Sequence, residues 1–194
     1  MKRLSRLALV CCAAWGFAPA ANALSIPFIL NGNAGPGLLG GNENPVIVGG
    51  GSGGLVGGGI VYDTDTNVLS IEIAWGSANG FTDLTGAATL GHIHGATTSS
   101  APTGYSQNAS PLIDLNTLSG WDSSASAGGF DNDVVLSEAQ EAFLLANRLY
   151  INVHTSANPG GEIRGHLIAV PEPSTLVLTA LGLALLGARR RTNA

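Results

Sequence analysis

The sequence predicts an all-β fold, an antiparallel Greek-key-like β-sandwich with one short helix, flanked by an N-terminal signal peptide and a C-terminal transmembrane helix. Three observations predict it. Basic and long apolar stretches are confined to the two ends. The middle consists of short apolar runs between turns rich in glycine, asparagine and proline. One hairpin within it alternates strictly between apolar and polar side chains.

Taken in order, residues 1–23 read as a secretory leader. Lys2, Arg3 and Arg6 form a basic start, 7–17 an apolar stretch, and Ala21-Asn22-Ala23 a cleavage site with small residues at Ala21 and Ala23, so that Leu24 begins the mature chain. The apolar run is too short to cross about 30 Å of hydrocarbon as a helix. Both cysteines, Cys11 and Cys12, fall inside it. The exported part therefore has no disulfide, and its stability must come from core burial, with a metal as the other available support.

Residues 24–169 form the expected β domain. Apolar runs at 26–30 and 46–48 predict short strands. Gly49, Gly51 and Gly54 match a dinucleotide-binding spacing, and Gly50-Gly51-Ser52-Gly53-Gly54 a nucleophile elbow. Both chemistries need a helix next, whereas 59–62 begin a strand, so a glycine-rich loop is expected. Residues 60–62, a turn at 63–67 and a strand at 68–75 make the hairpin, in which Leu69, Ile71 and Ile73 alternate with Ser70, Glu72 and Ala74. Further strands are predicted at 88–94, 111–115, 149–154 and 162–168. Residues 137–146 are the helix, with Ser137 as cap and Gln140 closing a capping box.

Between residues 24 and 170 only Arg148 and Arg164 oppose twelve carboxylates, a net charge of −10 without a single lysine. Phosphate backbones have almost nothing to bind there, so nucleic acid is excluded as a partner and cations are the natural ligands. Asp63-Thr64-Asp65-Thr66-Asn67 and Asp131-Asn132-Asp133 offer oxygens to calcium but lack the glycine and distal glutamate of an EF-hand loop, and are expected to be polar turns. Trp75 and Trp121 are expected in the core rather than as sugar platforms.

The four histidines are His92, His94, His154 and His166. Residues two apart on a strand share a face, so His92 and His94 point together, opposite Ile93. If Ile151, Val153, Ile163 and Leu167 face the core, His154 and His166 lie on the outer face with Glu162 and Arg164. This placement serves two chemistries: the imidazoles hydrogen-bond loops while Glu162 pairs with Arg164, or His92, His94 and His154, with His166 as a fourth, hold copper or zinc.

Three resemblances to known families accompany these readings. Val170-Pro171-Glu172-Pro173, the apolar segment to residue 188, and Arg189-Arg190-Arg191 resemble the PEP-CTERM sorting signal. The prolines end the last strand, the apolar segment enters the inner membrane, and the arginines stay cytoplasmic. The resemblance implies processing of the 170–194 tail by an exosortase in a Gram-negative bacterium, after signal peptidase has cut the leader, and delivery to the cell surface or extracellular matrix. A tail kept as a plain anchor is the alternative.

Gly91-His92-Ile93-His94-Gly95, Pro111-Leu112-Ile113-Asp114-Leu115, Tyr150-Ile151-Asn152-Val153-His154-Thr155 and Asn158-Pro159-Gly160-Gly161-Glu162-Ile163-Arg164-Gly165-His166-Leu167 look like a CHRD (chordin-type) domain over roughly 26–168. Asn42-Glu43-Asn44-Pro45 echoes its start, with Asn44 in place of a proline. The resemblance implies little about activity; the expected role is a non-enzymatic binding or structural module, with exopolysaccharide as a candidate partner. His92-x-His94, His154 and Arg164 are also similar to the copper half of copper-zinc superoxide dismutase. The segment 95–110 lacks the histidines and aspartate of its second metal site, so a dismutase is not expected.

Overall fold

The computed structural model describes residues 24–171. The expected signal peptide with Ala21 and Ala23, the expected transmembrane helix, and Glu172, Pro173 and Arg189 to Arg191 lie outside the described residues, and Pro171 is the last residue within them. No helix among the described residues is long and apolar enough to cross a membrane.

Among the described residues ten strands, all antiparallel, form one continuous sheet. They are β1 (Ser25–Asn31), β2 (Leu38–Leu39), β3 (Ser52–Asp63), β4 (Val68–Trp75), β5 (Ala88–His94), β6 (Pro111–Asp114), β7 (Trp121–Asp122), β8 (Gly129–Val135), β9 (Tyr150–Thr155) and β10 (Ile163–Ala169). The spatial order is β6-β5-β9-β10-β1-β3-β4-β8-β7, with β2 bridging β10 and β3. The one α-helix among the described residues, α1 (Glu138–Leu145), is capped as expected: Ser137 and Gln140 form the full capping box.

The sheet doubles over one core. Ile93, Ile151, Val153, Ile163 and Leu167 from one half meet Ile60, Leu69, Ile71, Ile73, Trp75 and Phe130 from the other in a single apolar cluster. Two local features permit the folding. In β3 the register with β4 slips between Leu55 and Ile60, across a glycine stretch in which Gly57 and Gly59 take positive φ angles of 52° and 75°. Near the two ends of the path, Gly91 of β5 lies so close to Trp121 of β7 that an added Cβ would sit 2.3 Å from the indole. The Trp121 ring in turn packs 5.2 Å from Trp75, which is fully buried.

Several expectations are corrected. Residues 46–48 are not a strand: Val46 and Val48 are exposed in a loop, because no neighbour pairs them. Asp131-Asn132-Asp133 is not a turn but the middle of β8, paired with Glu72, Ile71 and Ser70 of β4. Phe130 and Val134 bury the inner side of that strand while its acids face water. The two-residue strands β2 and β7 carry no sequence period at all. Asp63 does close a polar turn, its Oδ1 accepting from the backbone of Asp65 and Thr66 and from the Thr66 hydroxyl.

Candidate metal centre

The outer face of β5, β9 and β10 was expected to meet water, and it does not. Every residue of β9 is buried, on both sides of the sheet. His92, His94 and His154 are each 7% exposed, and Arg164 and His166 are fully covered. The reason is a roof of three loop segments. In the 95–110 loop, Ala109 accepts from His94 Nδ1 at 2.8 Å and exchanges hydrogen bonds with the Tyr150 hydroxyl, and Asn108 and Gln107 accept from Arg164. Near Pro45, Asn44 bonds to Ser106 and Asn108, and Glu43 accepts from Asn152 at 3.3 Å. In the 156–161 turn, Pro159 accepts from His154 Nδ1 at 2.9 Å.

Register places the polar side chains in rows beneath this roof. His92 of β5 lies opposite Asn152 of β9, which lies opposite Arg164 of β10; in the next row His94, Tyr150 and His166 follow one another. The His94 ring stacks on Tyr150, 6° from parallel at 4.8 Å, and the Arg164 guanidinium covers the tyrosine 3.5 Å from its centroid.

His92, His94 and His154 converge. One ligand atom from each ring lies within 4.8 Å of the others. His92 Nδ1 is 3.0 Å from His154 Nε2, and His92 Nε2 is 3.4 Å from Asp114 Oδ1. His94 Nε2 is buried without any hydrogen-bond partner. His166 does not join them: its Nε2 accepts from Arg164 at 3.2 Å and its ring packs on Tyr105 and Tyr150. Nor do Glu162 and Arg164 pair. Glu162 accepts instead from Gly51, Thr85, Thr155 and Asn158, tying together the segments that enter β3 and β5 and leave β9.

Residues 37–167, well over half of the chain, match the CHRD domain family. The chain belongs to the CHRD domain family. Residues 169–191 match the PEP-CTERM protein-sorting motif, which marks the chain as an exported, membrane-transiting protein of Gram-negative bacteria that an exosortase processes. No curated protein and no solved structure matches the chain.

The electrostatics of this CHRD domain favour neutral imidazoles. Burial pushes His94 down to about 4, with His92, His154 and Arg164 adding to the effect against the Ala109 hydrogen bond. Burial likewise lowers His92, where His154 adds to it and Asp114 opposes, and His154, where the Pro159 hydrogen bond opposes. His166 is also pushed down to about 4, by burial and Arg164. A neutral ring keeps one nitrogen lone pair for a cation, so each imidazole can ligate at neutral pH without first losing a proton. Glu43, 5% exposed, is raised to about 7 because burial outweighs the attraction of Arg164.

Three contributors escape a reading of the histidines alone. Asp114, Tyr150 and the Glu43–Asn152 contact all lie within the CHRD motifs, but their relation to the site depends on strand pairing and on the roof.

Proposed function

We propose that this exported, exosortase-sorted CHRD protein is a metal-binding module of the cell surface or extracellular matrix, holding one copper or zinc ion through His92, His94 and His154. The observation that carries the reading is the buried convergence of three imidazoles, one of which, His94, turns a partnerless Nε2 into the cluster. An orphaned buried polar atom costs about 1–3 kcal/mol, and an ion that accepts its lone pair removes that cost. Imidazole is a ligand suited to copper and to zinc alike. Two of the rings already make the outer hydrogen bonds that orient metal ligands, to the carbonyls of Ala109 and Pro159. Three protein ligands leave a coordination position for water or a small exogenous ligand.

The test is metal content. Protein exported and processed by an exosortase-bearing host, purified without a histidine tag, is loaded with copper or with zinc and desalted. One ion per chain is expected, falling to near zero in His94→Ala and His154→Ala. Sub-stoichiometric retention of both metals by the wild type would end the proposal.

A further inference from the structure

We infer that Asp114 is a positioning residue that makes His92 bind the metal through Nδ1, while His94 and His154 bind through Nε2. The inference rests on the three-imidazole reading above and assigns what that reading leaves open, the ligating atom of each ring and the residue that fixes it.

The argument is an accounting of ring hydrogens. His94 Nδ1 and His154 Nδ1 each face a backbone carbonyl, at 2.8 and 2.9 Å. A carbonyl only accepts, so both Nδ1 atoms carry the hydrogen and both rings have their lone pair at Nε2. His154 Nε2 is 3.0 Å from His92 Nδ1, so the hydrogen in that contact belongs to His92. A neutral His92 then turns the bare lone pair of its own Nε2 toward Asp114 Oδ1, 3.4 Å away, acceptor against acceptor.

An ion among the three rings removes this conflict without any proton having to leave. His92 gives Nδ1 to the metal and carries its one hydrogen on Nε2, where the Asp114 carboxylate accepts it; His94 and His154 keep theirs on the carbonyls. Every ring then has one metal bond and one outer acceptor: Asp114, Ala109 and Pro159 respectively. Asp114 stands directly opposite His92 in the β5–β6 pairing. Its side chain is 58% exposed, so the carboxylate can rotate to shorten the contact. Such outer partners are worth about 10–100-fold in metal affinity.

The probe is zinc alone, which is diamagnetic, added to 15N-labelled, untagged exported protein. Long-range proton–nitrogen spectra distinguish ligating, hydrogen-bearing and free ring nitrogens. Zinc is expected on Nδ1 of His92 and on Nε2 of His94 and His154, with the His92 hydrogen on Nε2. Asp114→Ala should weaken zinc binding about 10–100-fold, and Asp114→Asn, which keeps an acceptor oxygen, should recover most of that loss. Stoichiometric zinc held by His92 through Nε2, or an Asp114→Ala variant within twofold of the wild type, would overturn the inference while leaving the metal centre standing. Zinc that perturbs none of the three rings would overturn both.

Discussion

Glu162→Ala removes a fully buried carboxylate that accepts five hydrogen bonds: from the backbone of Gly51 and Thr85 at 2.8 Å each, from the hydroxyls of Thr85 and Thr155 at 2.5 and 2.7 Å, and from Asn158 Nδ2 at 3.1 Å. Each such bond to a charged group contributes about 1.5–3 kcal/mol, and the truncation leaves buried donors without a partner. Because all five share one carboxylate their contributions do not add, and a loss of about 4–5 kcal/mol, the upper end for single substitutions, is expected. That is a large part of the roughly 5–15 kcal/mol by which domains are stable. Glu162→Gln keeps the shape but aims an amide at other donors, and should cost about 2–3 kcal/mol. Urea titration at pH 7 measures both, as a fall in midpoint with an unchanged slope. Burial alone would raise the Glu162 carboxyl, but hydrogen bonds from Thr85, Thr155 and Gly51 hold it below its ordinary value. Its contribution is therefore present above pH 4.5 and lost as pH falls through the folded value, so both variants should flatten the acid limb of the stability curve. A cost below about 1 kcal/mol for the alanine variant would refute the view that this carboxylate clamps the segments around the polar face.

Three further outcomes are expected. Gly91→Ala forces a methyl group against the Trp121 indole and should cost about 1–3 kcal/mol by thermal or urea unfolding; a neutral effect would mean that β5 and β7 do not meet as described. Glu43, protonated in the folded state up to about pH 7, withdraws stability as pH rises from 4.5 to 7, by roughly 3 kcal/mol for a shift of this size, and Glu43→Gln should abolish that slope; an unchanged slope in a comparison of pH 5 with pH 8 would contradict it. Because burial lowers all three imidazoles, zinc should stay bound well below pH 6.5, the ordinary imidazole value; release centred at 6.5 in a competition titration would refute this electrostatic picture.

How much of this was legible in the residues follows from the physics of each signal. The β4 alternation, β5 and the α1 capping box depend on neighbours in sequence, and they were read to within a residue. In β8 the pattern Phe130-Asp131-Asn132-Asp133-Val134 is dominated by residues poor in β propensity, and only pairing with β4 makes it a strand. Period two put His92, His94 and His154 on the face opposite the core. It could not show that the face is closed, because the roof comes from loops that carry no period. For the same reason the convergence of three histidines, and the exclusion of His166 by Arg164, depended on the register of β9 against β5 and β10. Asp114 enters only through the β5–β6 pairing.

The acidic surface is the natural rival for any bound cation, and X-ray absorption at the metal edge of copper- or zinc-loaded protein separates it from the buried centre. Three imidazole nitrogens at about 2.0–2.1 Å, lost in His94→Ala, are the expected result. A first shell made of oxygens, unchanged in that variant, would contradict the assignment of a metal to this CHRD domain's histidines.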